Sequence, residues 1–140
     1  MKILDAGSSL ECHGTTTLDI CLDIPVDVKQ DLNQFPYPFF DKQFDRVFCS
    51  HTLEHLRFPE RALDEFVRIS NVVEVWVPHQ WSMTAKRDKS HLHTFNIAWF
   101  QNYAKSRGLR VQFRTMFDVE RLSWKTPFCF QLKVWLWRGE

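Results

Sequence analysis

The sequence predicts an α/β domain built on a mostly parallel sheet with an antiparallel pair at its C-terminal end. Two observations support this: short apolar runs alternate with segments of helical periodicity, and the chain closes on two β-rich segments, residues 111–117 and 128–137. With 140 residues, 44% hydrophobic and 25% charged, the chain fits one globular domain, residues 1–140. No internal repeat, low-complexity tract or Gly/Ser linker marks a second.

Residues 1–6 (MKILDA) form a short apolar run closed by Gly7, a buried strand and its turn. Residues 16–20 and 26–32 read as two further short strands. Residues 45–50 (DRVFCS) read as a fourth, apolar inside as a strand covered on both faces is. From Ser50 the pattern turns helical, with Leu53 and Leu56 on one side. A second helix opens at Phe58-Pro59-Glu60, with proline in its first turn, and runs to Ser70 on Ala62, Leu63, Phe66, Val67 and Ile69. Residues 72–77 (VVEVWV) are a fifth strand stopped by Pro78, and residues 78–94 are a polar loop rich in His, Lys and Arg. Thr94 or Asn96 caps a helix through Ser106 that Gly108 ends. Residues 111–117 and 128–137 are the antiparallel pair.

A crossover between parallel strands usually takes about 10–12 residues or more. Residues 7–15 alone separate the first two strands, so the N-terminal crossover helices are missing, or the strands are not parallel neighbours. In the first case one sheet face needs cover from the C-terminal segment, a second copy in a homodimer, or a large partner.

The net charge of +1 conceals an asymmetry. Residues 1–70 hold 7 Lys and Arg against 12 Asp and Glu, a balance of −5; residues 71–140 hold 11 against 5, a balance of +6. A basic half suits a polyanion or an anionic substrate. Cys12, Cys21, Cys49 and Cys129 form no CxxC pair and read as reduced thiols. No run nears the about 20 apolar residues that span a bilayer, and the N-terminus lacks a signal-peptide pattern, so a cytoplasmic location without membrane attachment is expected.

Ligands of parallel sheets bind outside the carboxyl ends of the strands. Four stretches there carry chemistry: Ile3-Leu4-Asp5-Ala6-Gly7-Ser8; Leu18-Asp19-Ile20; Asp31-Leu32 leading into Phe35-Pro36-Tyr37-Pro38-Phe39; and Cys49-Ser50-His51-Thr52-Leu53-Glu54-His55-Leu56. Together they resemble a small class I S-adenosylmethionine-dependent methyltransferase of the type-11 kind, over roughly residues 2–100. The resemblance implies a Rossmann-like methyltransferase sheet, S-adenosylmethionine as cofactor, and cofactor contacts from Asp5, Gly7, Ser8, Asp19, Asp31, Leu32, Ser50 and His51. Asp31 would meet the adenine amino group, the Leu32 backbone its ring, and Asp5 the amino acid end. The sequence departs from the pattern where Ser8 and Ser9 replace further glycines, which holds the turn farther from the cofactor and leaves a non-catalytic cofactor-binding protein as an alternative.

His51 and His55 are expected to form the wall between methyl donor and acceptor, with His79 and His91 orienting or deprotonating the acceptor. Lys86, Arg87 and Lys89, on the loop after the fifth strand, suit phosphates, and Trp81 and Trp99 suit base stacking, so the expected acceptor is RNA, ribosomal or transfer, at a base nitrogen. A small molecule is the alternative acceptor. His51-Thr52-Leu53-Glu54-His55 also spells H-x-x-E-H, the spacing of an inverted zinc-peptidase motif. That motif needs a further carboxylate ligand and a longer helix than a strand-to-helix turn provides, so a zinc hydrolase stays a minor alternative and no residue is assigned as a metal ligand.

Overall fold

A computed structural model describes residues 1–7, 14–19, 27–82, 89–117 and 130–139. They build β1 (Ile3–Ala6), β2 (Thr16–Asp19), β3 (Val28–Lys29), β4 (Phe44–Ser50), a single 3₁₀ turn (Leu53–His55), α1 (Pro59–Ile69), β5 (Ser70–Pro78), α2 (Ile97–Arg107), β6 (Leu109–Phe117) and β7 (Phe130–Arg138). The strands form one sheet in the order β3-β2-β1-β4-β5-β7-β6. The first five run parallel, and β7 is antiparallel to both β5 and β6. The expected sheet is therefore the observed one.

The short N-terminal connections join true parallel neighbours: Leu4 pairs with Thr16, and Leu18 with Val28. Gly14 explains how closely the return strand can start. A Cβ there would stand 2.6 Å from the Ile3 carbonyl oxygen and 2.9 Å from the Asp5 nitrogen. Asp27 ties β2 to β3, accepting from the Thr17 amide at 2.8 Å and its hydroxyl at 3.1 Å. Strand β3 is far shorter than the expected 26–32 because the chain turns at Asp31, whose Oδ1 accepts from the Asn33 amide at 2.8 Å.

Helix α1 buries the apolar stripe expected of it, Ala62, Leu63, Phe66, Val67 and Ile69, beneath a Pro59 start. Helix α2 is capped by Asn96, whose side chain accepts from the Trp99 amide at 2.8 Å, and is closed by Gly108 at φ 64°. The Tyr103 hydroxyl donates to Asp64 at 2.8 Å and Arg107 Nε to the same oxygen at 3.1 Å, so both helices lie side by side on one face. Strand periodicity sends Val47 and Cys49, Val73, Val75 and Val77, and Leu132, Val134 and Leu136 into the core beneath them.

The alternate residues line the opposite face, where no described helix packs. That face is polar and aromatic instead of apolar. Glu74 accepts from Arg46 Nη1 at 2.8 Å and from Trp135 Nε1 at 2.6 Å, Lys133 Nζ stands 3.7 Å above the Trp76 ring, and Phe48 meets Trp76 edge to face. Among the described residues no helix is long and apolar enough to cross a membrane.

Phe66 is fully buried and faces the sheet from the middle of α1. Phe66→Ala should cost about 3–5 kcal/mol, read as a lowered urea midpoint; an unchanged midpoint would mean α1 is not seated as described.

Candidate active site

The five parallel strands all end on one edge, so Gly7, Asp19, Asp31, Ser50 and His79 converge there from five separate strands or the turns that follow them. The strand order reverses at β1, with β2 on one side and β4 on the other, so a crevice opens between β1 and β4.

Two turns close that crevice and touch each other. Gly7 has φ 76°, and a Cβ on it would stand 2.2 Å from the Thr52 hydroxyl and 2.7 Å from its methyl carbon. Glycine is required here twice over, by the left-handed backbone and by the Thr52 side chain against it. Across the crevice His51 also holds a left-handed conformation, φ 50°, and its amide donates to the Trp76 carbonyl at 2.8 Å. That reversal ends β4 and prevents the helix expected from Ser50. Only the 3₁₀ turn forms before the chain extends at Leu56.

Asp5 is buried on β1, on the face opposite the helices. Asp19 ends β2 half-buried, and its carbonyl accepts from the Gln30 amide at 3.2 Å. Asp31 is half-buried with one carboxylate oxygen used by its own turn, and Leu32 is buried with its carbonyl accepting from the Tyr37 hydroxyl at 2.8 Å. Ser8, Lys86 and Arg87 lie outside the described residues, as do Cys12, Cys21 and Cys129. Cys49 is a free buried thiol; burial pushes its pKa up, and the charges of Glu54 and Asp5 push it the same way, so it is no thiolate nucleophile.

The four candidate histidines fall into two groups. His79 stands at the end of β5, its Nδ1 accepting from the Trp81 amide at 3.2 Å and its ring edge-on to Trp81. Burial lowers its pKa, which favours the neutral ring. His51, His55 and His91 instead surround Glu54, which is 1% exposed. Glu54 Oε1 lies 3.9 Å from His51 Nδ1, 3.8 Å from His55 Nε2 and 3.9 Å from His91 Nε2. The His91 side chain is only 3% exposed, which places it behind the rim instead of against an acceptor. Sequence reasoning missed Glu54 as a site residue; its place between His51 and His55 was the available signal.

Of the two tryptophans expected to stack on bases, Trp81 is 69% exposed beside His79. Trp99 is different: it is partly buried and packs against Phe95, Phe100 and Tyr103 at the edge of the core. A helix that buries Phe100, Tyr103 and Ala104 turns Trp99 toward the same interior.

Residues 16–71 match the family model described as a methyltransferase domain. Over those residues the chain is similar to a methyltransferase domain. No curated protein matches it. Solved methyltransferases share its fold. An S-adenosylmethionine-dependent methyltransferase of Thermotoga maritima superposes with TM-score 0.71 at 16% identity, over 99% of this chain and 82% of that one. A chain from the complex of the Haloferax volcanii Trm112 methyltransferase activator with a methyltransferase gives TM-score 0.68 at 14% identity, over 99% and 82%. The methyltransferase domain of bacterial CtHen1-C gives 0.64 at 15%, over 99% and 90%.

Gly7→Ala should destabilise the chain by at least about 1–2 kcal/mol, the cost of a left-handed non-glycine residue, with the Thr52 clash added. Adding Thr52→Ala should recover the steric part and leave the backbone part. Urea titrations of the single and double variants check this, and equal losses in both would show that Thr52 does not press on the turn.

Proposed function

We propose that the chain transfers the methyl group to RNA, ribosomal or transfer, at a base nitrogen. The observation that supports this most is the exposed Trp81 beside His79 at the end of β5, on the basic half of the chain and a few residues before Lys86, Arg87 and Lys89 in sequence. An exposed indole offers a stacking surface to any base, and three cations close by in sequence suit its phosphates.

The residues at the strand ends fit the cofactor's chemistry. S-adenosylmethionine supplies an electrophilic methyl on a sulfonium, together with an adenine and a ribose diol. In this reading Gly7 brings backbone close to the amino acid end near Asp5, and Ser8 follows it in sequence. Asp19 accepts from the ribose hydroxyls, and the Asp31 oxygen not used by its turn accepts from the adenine amine beside the Leu32 backbone. Ser50 and His51, held at the crevice by the reversal after β4, together with His55, separate donor from acceptor and exclude water. His79, with Nδ1 engaged by the Trp81 amide, is neutral with its proton on Nε2 and donates to the acceptor base, orienting it for an in-line approach. His91 acts from behind, through Glu54.

The sheet face of Arg46, Glu74, Trp76, Lys133 and Trp135 suits a second copy of the chain or a protein partner, as one structural relative was solved with an activator.

Asp31→Ala should weaken S-adenosylmethionine binding more than tenfold in calorimetry, since losing a buried polar partner costs about 1–3 kcal/mol. Equal affinity would remove Asp31 from the adenine site.

Replacing Lys86, Arg87 and Lys89 by alanine should weaken RNA binding, leave cofactor affinity intact and flatten the salt dependence by roughly 0.7–0.9 log units per lost contact. Nucleoside mass spectrometry of RNA from cells with and without the gene should show one methylated base lost. No salt-dependent RNA affinity in the wild type, with no change in nucleosides, would favour a small-molecule acceptor.

A further inference from the structure

We propose that Glu54, His55 and His91 bind a divalent transition metal, at a site separate from the cofactor's carboxylates. Their ligand atoms all lie within 4.8 Å of one another. The Glu54 oxygen is 3.8 Å from His55 Nε2 and 3.9 Å from His91 Nε2. Ligand atoms around tetrahedral zinc, each about 2.0–2.2 Å from the ion, stand roughly 3.3–3.5 Å apart. A contraction of about half an ångström brings each Glu54–histidine pair to that spacing, and one of up to about 1.5 Å brings the two imidazole nitrogens to it, completing three legs of such a site.

The orientation of His55 favours coordination. Its Nδ1 lies 3.1 Å from the Ser90 carbonyl oxygen, which can only accept. That hydrogen bond puts the proton on Nδ1, so in the neutral ring the Nε2 lone pair is directed toward Glu54. A backbone carbonyl holding the far nitrogen is the usual second support of a metal-bound imidazole. The two segments that carry the ligands are also tied together before any ion arrives: the amides of Leu92 and His93 both donate to the Glu54 carbonyl, at 2.8 Å and 3.2 Å. The His55 and His91 rings pack edge to face at 4.7 Å, which fixes their relative tilt. Ligand and support thus share one hydrogen-bonded turn, and little ordering is left to be done on binding.

Two imidazoles and one carboxylate select zinc, cobalt or a similar cation over magnesium, which prefers an all-oxygen shell. Glu54 and His91 are enclosed while the His55 side chain is 38% exposed, so the ion enters past His55 and keeps its remaining positions, for water or an acceptor oxygen, on that side. This differs from the zinc-peptidase reading of H-x-x-E-H, in which His51 and His55 are paired ligands on one helix. Here no helix forms, and His91 replaces His51 in the ligand set.

Metal analysis of the purified full chain should find one equivalent of zinc or a related metal that dialysis against a chelator removes. Cobalt titrated into the stripped protein should then give visible absorption of a four- or five-coordinate ion with one-to-one stoichiometry. His55→Gln, at a half-exposed position that tolerates glutamine, and Glu54→Gln should each weaken cobalt binding by more than about tenfold. His79→Gln should leave it unchanged. Circular dichroism and calorimetric binding of S-adenosylmethionine confirm that each variant is folded. A folded wild-type chain with no cobalt spectrum, or a His55→Gln variant that binds cobalt as tightly, would overturn the site and leave a hydrogen-bonded histidine–glutamate cluster.

Discussion

The parallel hydrogen bonding of β1 to β2 on one side and to β4 on the other is the constraint on which every other feature of the site depends. Strand β1 has four residues, yet both its edges are paired. Parallel pairing forces the neighbouring strands to end on the same edge, and the reversal of order at β1 leaves room between its carboxyl end and that of β4. The two chain reversals there then meet, Gly7 against Thr52. Neither can move without the other. A four-residue strand buried on both sides is a weak element alone, and its position is secured by Leu4 and Ala6 in the core beneath the helices.

That arrangement explains why two residues with left-handed backbone face each other at the crevice. At Gly7 the conformation costs nothing, because there is no Cβ to clash. At His51 it carries a cost of order 1–2 kcal/mol, which the pairing of β4 with β5 through Trp76 offsets. Strain of this kind persists where the surrounding structure over-determines it. Its effect is to end the strand abruptly and turn the next residues, Leu53 to His55, back over the crevice instead of along a helix.

Legibility from sequence followed the strength of local signals. Helix α1 announced itself by proline at the start and five apolar residues at helical spacing, and every one of the five is buried. The parallel character of the sheet was read from the alternation of strand-like and helical segments, although the first connections looked too short for parallel neighbours. Gly14 resolves that conflict by letting the chain pass within contact of β1. What stayed hidden were the features that depend on two segments meeting. A glutamate among helical-looking residues reads as solvated surface, and only the return of residues 90–93 across the 3₁₀ turn encloses Glu54. Trp99 failed in the opposite sense. An aromatic residue on a weakly amphipathic helix carries no mark of which side it will face, and tertiary packing turned it inward.

The two histidine groups then acquire distinct physical tasks from their surroundings. His79 sits where burial lowers its pKa and disfavours the charged ring, while the Trp81 amide occupies its Nδ1. His51, His55 and His91 instead stand around one carboxylate, each with a ring nitrogen 3.8–3.9 Å from Glu54 Oε1. His51 belongs to both regions, with its backbone in the crevice and its ring nitrogen toward Glu54. The strained reversal that ends β4 and the buried carboxylate of Glu54 thus meet at one residue.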